Sequence, residues 1–254
     1  MSRDLFFIVF KNYLKRMMRD IFGLTIFTIL PVILIFILSS VYSYNSPENV
    51  IYVDGYNMVT SYLSIGMMLL FQLNSGVYLL NYLDVDLEKS IEWRLQATPF
   101  PKYGFAFSAL MASLIFNYIQ GLLIIVFTSI FMDAYWGNIF VTLFVLLLIS
   151  LISQLINIVL FFTVKKISVA EGLSWFVSWI MAVLGGLMFE LPKNSFFIFM
   201  QKYGTPFSLG KTAIAASGFI EGSGREVLIT LGTLIFITVI LSYLVIVMGR
   251  RKLA

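Results

Sequence analysis

Residues able to bind another protein are concentrated in one interior stretch, from Asp86 to Lys102. The stretch reads DLEKSIEWRLQATPFPK and is the longest run in the chain that is both charged and interior. An apolar segment long enough to cross a bilayer lies on each side of it. Because charged side chains between two such segments stay in water, we expect a cytosolic contact element through which a soluble partner acts on a membrane domain.

A second set of candidate residues is neutral and lies inside the apolar segments. Its members lie on three predicted spans: Gln72, Asn74 and Ser75; Ser113, Asn117 and Gln120; Ser150, Gln154 and Asn157. They could line a translocation surface or gate, or they could join helices by hydrogen bonds worth about 0.6 kcal/mol each. Bonding between helices is favoured for the second and third groups, whereas Gln72, Asn74 and Ser75 are kept as candidates for a translocation path.

The composition indicates the environment in which these residues act. Hydrophobic residues make up 60% of the 254 positions and charged residues 12%, and 25 residues are Phe, more than one soluble core of this size could bury. We therefore expect an integral membrane protein. The chain has no Cys and no His, which excludes disulfides, thiol nucleophiles and imidazole bases, and we expect no metal site or cofactor in it.

Residues 1–20 are predicted to form an amphipathic helix in the membrane interface. From Arg3 to Asp20, apolar and basic residues recur with a helical period on opposite faces. The apolar face has Phe6, Phe7, Phe10, Tyr13, Leu14, Met17 and Met18, and the basic face has Lys11, Lys15, Arg16 and Arg19. The alternative is a signal-peptide n-region, but such regions are much shorter and no clear small-x-small cleavage site follows.

Residues 21–254 are predicted to form a single transmembrane domain, so the expected fold class is all-α integral membrane. Each of six predicted spans meets the roughly 20 residues that a hydrocarbon core of about 30 Å requires, with the fifth at the short end. Pro31 should kink the first span. The predicted spans cover residues 21–42, 58–83, 105–132, 139–164, 172–189 and 227–248.

The distribution of charged residues predicts the orientation. Thirteen of the 17 Lys and Arg residues lie before the first span, in the 83–104 and 165–171 loops or in the tail, whereas the 43–57 and 133–138 loops have none. The positive-inside rule then places both termini in the cytoplasm of a multi-pass plasma-membrane protein. No predicted span centre has a charge, which argues against ion coupling, because proton and ion pathways generally need charge at depth.

The segment before the last span is too long to be a simple connection. Asn194 or Ser195 can cap a short helix, a turn follows from Tyr203 to Pro206, and Leu209 to Phe219 is a second short amphipathic helix. Neither helix is long enough to span. We expect two re-entrant helices in the outer leaflet over residues 194–220, with an ordinary extracellular loop as the alternative.

The interior stretch resembles a known membrane family. Asp86 to Pro99, ending in Arg94-Leu-Gln-Ala-Thr-Pro99, is similar to the acidic-basic run ending in Arg-Leu-x-Ala-Thr-Pro that follows the second span of ABC-2 type transporter permeases. The likeness extends to the N-terminal interfacial helix, the six spans and the paired short helices before the last one, and so covers nearly the whole chain. A weaker resemblance is to Gram-positive peptide-toxin exporter permeases, including those for phenol-soluble modulins.

The resemblance implies that residues 86–99 form a coupling helix in a groove of a separate ATP-hydrolysing subunit. Eight side chains are expected to make this contact: Glu88, Lys89, Glu92, Trp93, Arg94, Leu95, Thr98 and Pro99. The implied partners are two ABC ATPase copies, which bind ATP and Mg, and a second permease copy in the lipid bilayer. A homodimer is favoured over a heterodimer, and nucleic acid is not an expected partner.

Small residues recur every four positions along the fifth span, at Ser174, Ser178, Ala182 and Gly186. This spacing lets two helices approach closely in lipid. Packing inside one bundle would use the same pattern, but the family resemblance places this span close to the subunit boundary. We therefore expect this small-residue face to meet its counterpart across a permease dimer.

These features favour the permease subunit of an ATP-driven exporter that works by alternating access. The Phe, Met, Tyr and Trp content suits an amphipathic substrate, either a peptide or a lipophilic drug. Three other classes stay open as alternatives. They are a membrane-embedded enzyme, for which only the scattered carboxylates between positions 84 and 92 are available, a secondary transporter, and a permease-like accessory or sensor protein.

Overall fold

The computed structural model describes residues 3–45, 52–53, 55–88, 100–187, 191–219 and 223–252. In these residues helices dominate, and a short hairpin pairs Tyr52–Val53 (β1) with Tyr56–Asn57 (β2) in antiparallel fashion. The helices are α1 (Arg3–Met18), α2 (Ile21–Tyr44), α3 (Met58–Leu87), α4 (Lys102–Phe131), α5 (Ile139–Thr163), α6 (Ile167–Leu184), α7 (Ser195–Phe199), α8 (Pro206–Gly218) and α9 (Gly224–Lys252).

Six of these helices, α2 to α6 and α9, are long and apolar enough to cross a membrane, as predicted. The largest difference from the predicted boundaries is in α6, which begins at Ile167 instead of 172 and ends at Leu184. The sequence predicts a start at Gly172, but a single glycine is tolerated inside a helix. The helix ends where Gly186 adopts a φ of 58°, a conformation that favours glycine.

A widened turn precedes Pro31 in α2, and the kink expected at this proline stays a prediction. Residues Thr25–Ile29 form a π-helical turn in which the Leu30 N–H donates to the Thr25 carbonyl. The turn lies directly before Pro31, which has no N–H of its own to donate. The wide turn thus places the irregular hydrogen bonds of α2 one turn ahead of the proline.

The two ends of the bundle are defined by different contacts, helix packing at one end and loop hydrogen bonds at the other. At one end, α1 packs across α4, and the rings of Phe6 and Phe107 lie 5.7 Å apart. At the other end, the Asn57 N–H donates to the Asp133 carbonyl at 3.2 Å, and the Asn138 N–H donates to Ser217 Oγ at 3.1 Å. These bonds join the hairpin, the link between α4 and α5, and α8. We call the two ends the α1 end and the α8 end.

Two short helices, α7 and α8, precede α9 in the described residues. Asn194 Oδ1 accepts from the Phe197 N–H at 2.9 Å and so caps α7. Thr205 and Ser208 form a reciprocal capping box at the start of α8. Helix α8 buries Phe207 and neighbouring residues among α3, α5 and α9, whereas α7 has no buried residue. The placement of this pair in a membrane leaflet stays a prediction.

Helix α3 lies at the centre of the bundle. In its most apolar window 89% of the residues are buried, against 11% in α9. Its first two-thirds pack in a core that reaches the α8 end, around Met68, Leu69 and Phe207. Its last turns pack in a second core beneath α1, with Leu83 and Met17. A displacement of α3 would therefore disturb both cores.

Candidate functional site

The predicted contact stretch lies mostly outside the described residues. Of its eight predicted contact residues, only Glu88 belongs to the described backbone, as the last residue of a π-helical turn, Asp84–Glu88. The others lie outside it: Lys89, Glu92, Trp93, Arg94, Leu95, Thr98 and Pro99. Their contacts stay a prediction, and the structure describes the two ends of the stretch.

Asp86 opens the stretch and is paired inside the protein. Its Oδ2 lies 2.9 Å from Arg16 Nη1 of α1, and its side chain is 6% exposed, whereas that of Arg16 is 45% exposed. The Tyr13 hydroxyl also donates to this carboxylate, and burial together with the Asp86 charge raises the pKa of Tyr13 above its usual range. The carboxylate thus receives two donors from α1, one of them charged.

Aromatic rings surround this ion pair. The Arg16 guanidinium lies 4.8 Å from the centre of the Tyr82 ring and 5.7 Å from that of Tyr13. The rings of Tyr13 and Tyr82 meet edge to face at 6.3 Å. One helical turn further into the bundle, the Tyr78 hydroxyl bonds to Asp20, which lies between α1 and α2. The last turns of α3 are therefore held to α1 by a group that we call the α1 junction: Tyr13, Arg16, Tyr82 and Asp86.

The far end of the stretch is packed against the same core. Phe100 is buried, and its ring meets that of Phe105 edge to face at 4.9 Å. Gly104 makes room for it, because a Cβ at this position would come within 2.7 Å of the Phe100 ring. Leu87 and Phe100 both belong to the core beneath α1. Both ends of the 89–99 segment are thus fixed to one apolar core.

A second site lies inside the bundle, around Gln72 of α3. Gln72 Nε2 donates to the Asn117 carbonyl of α4, and Asn117 Nδ2 donates to the Gln72 carbonyl, both at 3.1 Å. From α5, Ser150 Oγ donates to Gln72 Oε1 at 2.6 Å and Ser153 Oγ donates to the Gln72 carbonyl at 2.8 Å. All four residues are buried. This Gln72 network (Gln72, Asn117, Ser150 and Ser153) joins three candidate spans through neutral hydrogen bonds.

Two glycines let the helices of the Gln72 network approach closely. A Cβ on Gly121 of α4 would lie 2.6 Å from Gln72 Nε2, and a Cβ on Gly76 of α3 would lie 2.6 Å from Ser153 Oγ. Any larger residue at either position would push a helix away from the bonds. The glycines are therefore part of the same arrangement as the polar side chains.

The three predicted path residues lie in one buried region but differ in their bonding. Gln72 is fully engaged in its network, and the Ser75 hydroxyl contacts the Asn117 side-chain oxygen and the Gln72 carbonyl. Asn74 Oδ1 is buried and has no hydrogen-bond partner among the described residues. A role for the three in a translocation path stays a prediction.

The small-residue face of α6 packs within the chain. Ser174, Ser178 and Ala182 are buried, and α6 contacts α3 and α5. Ser174 Oγ donates to Asn157 Oδ1 at 2.7 Å. Gly186 lies just past the helix end and is partly buried. In this conformation the chain's own helices cover the face, and a dimer contact through it stays a prediction.

The pairing of Asp86 with α1 is not predicted by the sequence pattern. That pattern places Arg16 on the basic face of the N-terminal helix and Tyr13 on its apolar face, and Arg16 lies 70 positions from Asp86. One signal was available. Tyr13 has the one hydroxyl among the residues assigned to the apolar face, and a buried Tyr hydroxyl usually finds a hydrogen-bond partner.

Comparison of the chain with family models, curated proteins and solved structures found no match. The two sites bring together one ion pair with aromatic neighbours and a set of neutral amides and hydroxyls. Groups of this kind bind, orient and hold helices in register. The α1 junction lies where the charged stretch begins. Its Asp86 and the Gln72 of the network lie on the same helix, α3.

Proposed function

We propose that this chain is the transmembrane permease subunit of an ATP-driven exporter, with residues 86–99 as the contact for a separate ATPase. The observation that carries the proposal is the α1 junction. A charged segment between two candidate spans begins at a carboxylate that is buried and bonded to Arg16 and Tyr13. Such an attachment suits a segment that must transmit force rather than move freely.

The contacts at the two ends of residues 89–99 would transmit a displacement of this segment to the helix bundle. Asp86 and Leu87 belong to the last turn of α3, the most buried candidate span. Phe100 packs against the same core through Phe105. A partner that displaces residues 89–99 would move α3 and α4 together, because neither end of the segment is loose. Movement of α3 would carry Gln72 and Asn74 with it.

In this proposal the energy comes from the partner. Two ATPase copies would bind ATP and Mg, and a second permease copy would complete the transport path. The cytoplasm would lie at the α1 end, where the basic residues of α1 and the described ends of the charged stretch are found. The substrate would be an amphipathic peptide or lipophilic drug, since the polar groups buried near the middle of the candidate spans are neutral amides and hydroxyls.

The experiment is reconstitution. The tagged chain is purified from its native membranes with its bound ATPase, placed in lipid nanodiscs and tested for ATP hydrolysis stimulated by amphipathic peptides. Glu88→Ala with Arg94→Ala should leave the chain inserted in the membrane but reduce both ATPase recovery and peptide-stimulated hydrolysis.

Arg225→Ala is the matched control, because Arg225 is an exposed basic residue at the start of α9, outside the charged stretch. It should leave assembly and hydrolysis unchanged. Normal assembly and normal stimulated hydrolysis by the Glu88→Ala, Arg94→Ala variant would show that residues 86–99 are not the ATPase contact.

A further inference from the structure

Buried polar groups without a hydrogen-bond partner are concentrated on α2, α3 and α4, near the first half of α2. In the described residues, seven buried side-chain atoms have no hydrogen-bond partner, and four of them belong to Thr28, Asn74 and Gln120. Asn74 is 2% exposed and Gln120 is 1% exposed. Both the oxygen and the nitrogen of the Gln120 amide are unpaired. Buried amides in proteins are nearly always bonded, so each exception calls for an explanation.

Asn74 and Gln120 lie at the same level of the antiparallel pair α3 and α4. The rings of Tyr78 and Phe116 meet across this pair, with centres 6.2 Å apart. Asn74 lies one turn before Tyr78, and Gln120 lies one turn after Phe116. Because the two helices run in opposite directions, these one-turn steps lead to the same depth and to the same side of the interface.

Helix α2 closes this side. Phe27 contacts Phe71 at 6.4 Å and Tyr78 at 5.4 Å between ring centres, and Asn74 lies between these two residues on one stripe of α3. Thr28 follows Phe27 within the π-helical turn of α2, and its Oγ1 is buried and unpaired. Three helices thus bring unpaired polar groups to one interface, and such wide turns are frequent at functional sites.

The unpaired atoms define the chemistry of an occupant. Asn74 Oδ1 needs a donor, whereas the Gln120 amide offers both a donor and an acceptor, and the Thr28 hydroxyl can do either. No hydrogen bond joins these groups to one another, so a bridging molecule is needed to satisfy them. The set is uncharged, which suits a neutral group that both donates and accepts, such as an amide or water.

We propose that Thr28, Asn74 and Gln120, here called the α2–α4 site, bind an amide group of the transported substrate and hold water when no substrate is present. The substrate part rests on the proposed export function. The water part rests only on the unpaired atoms. The Gln72 network supplies the internal contrast, since the Gln72 amide already has partners from α4 and α5.

Single cysteines test the site without reference to transport, because the chain has no native Cys. Asn74→Cys and Gln120→Cys are labelled with N-ethylmaleimide in nanodiscs, with Leu79→Cys as the control, since Leu79 is 0% exposed in an apolar core. A thiol reacts as thiolate, which requires water. We expect labelling at 74 and 120 to be faster than at 79 by about tenfold or more. Equal rates at the three positions would overturn the site, whatever the chain transports.

The substrate part is tested by repeating the labelling with an excess of an uncharged amphipathic peptide. Protection of Cys at 74 and 120 by about tenfold would support it. Binding of the peptide to the unmodified chain is measured separately by fluorescence anisotropy. If the peptide binds but does not slow the fast labelling, the site holds water only and the substrate part is overturned. Failure of the unmodified chain to bind the peptide would count against the proposed function, while fast labelling would still support the water part.

A second pair of variants covers the case in which a cysteine variant does not fold. Asn74→Leu with Gln120→Met removes three of the four unpaired atoms of the site, all but Thr28 Oγ1, at nearly constant volume. We expect peptide binding to weaken by about tenfold at a melting temperature that does not fall. Unchanged binding by this folded variant would also overturn the substrate part.

Discussion

Gln72 and Asn74 lie two residues apart on α3 and are almost equally buried, at 1% and 2% exposed, but the oxygens of their side-chain amides are in opposite states. The Gln72 amide is bonded to α4 and α5. Asn74 Oδ1 has no partner in the described part of the chain. Two steps along a helix rotate a side chain by about 200°, so Gln72 meets α4 and α5 whereas Asn74 lies on the stripe that faces α2.

The difference shows that depth alone does not give the role of a buried amide. A paired amide stabilises the contact between helices, and its removal leaves its partners unpaired. An unpaired amide in an apolar interior costs about 2–7 kcal/mol until something bonds to it. Retaining such a group is understandable if it binds water or substrate. Substitutions in the Gln72 network should therefore lower the stability of the protein. Substitutions in the α2–α4 site should instead weaken peptide binding.

The largest effect on stability is expected for Gly121→Leu, which fills the space that lets α4 approach α3 and α5 at the Gln72 network. Its side chain would collide with Leu146 and with Gln72 Nε2, and overpacking of this kind typically costs about 1–3 kcal/mol before the lost hydrogen bonds are counted. We expect little monodisperse protein on size exclusion and a lowered melting temperature for what remains.

Gly172→Leu is the matched control, because a Cβ at position 172 meets nothing within 4 Å. Both variants replace a helical glycine inside a candidate span with the same residue. If they lose stability equally, the Gln72 network does not hold α3, α4 and α5 together.

The next largest effect is expected for Gln72→Met, which keeps the volume and removes the amide. The Asn117 carbonyl loses its bond from Gln72 Nε2, and the Ser150 hydroxyl loses its acceptor Oε1, for a cost of about 1–3 kcal/mol. Thermal unfolding in detergent measures it. A melting temperature equal to that of Asn74→Leu would remove the distinction between the paired and the unpaired amide.

A smaller effect is expected for Ser150→Ala, which deletes one bond to Gln72 Oε1. Hydrogen bonds between membrane helices average about 0.6 kcal/mol. In a double-mutant cycle with Gln72→Met, the second substitution should cost less than it does alone, because the bond is already lost. Strict additivity of the two melting shifts would mean that this bond contributes nothing.

The smallest effect on stability is expected for Asn74→Leu. It removes an unpaired oxygen without leaving any described partner behind. The free energy of unfolding should therefore fall by no more than about 0.5 kcal/mol, or it should rise. Differential scanning fluorimetry of this variant beside Gln72→Met makes the comparison directly. A loss as large as that of Gln72→Met would show that Asn74 is paired in the folded protein.

Much of the helical architecture could be predicted from the sequence. The six spans are predictable because apolar runs of sufficient length are local features. A cap at Asn194 or Ser195 is predictable because both precede a short apolar run, and the structure has it at Asn194. The start of α6 was misplaced because Gly172 is a weak signal, tolerated within the helix.

The division between Gln72 and Asn74 could not be predicted, and neither could the pairing of Asp86 with Arg16. Gln72, Asn74 and Ser75 were selected together because composition does not show which helix each side chain meets. Their roles depend on neighbours contributed by α2, α4 and α5, far away in sequence. The Arg16–Asp86 pair joins residues 70 positions apart. Long-range contacts of this kind need the packed structure.

The most direct test of the proposed function is peptide uptake into inverted membrane vesicles that contain the chain and its ATPase. We expect an amphipathic labelled peptide to accumulate only with ATP. Uptake should be lost in Glu88→Ala with Arg94→Ala, retained in Arg225→Ala, and reduced in Asn74→Leu with Gln120→Met despite normal assembly. Uptake that proceeds without ATP and stops when ion gradients are collapsed, or that persists in the Glu88→Ala, Arg94→Ala variant, would contradict the proposed function.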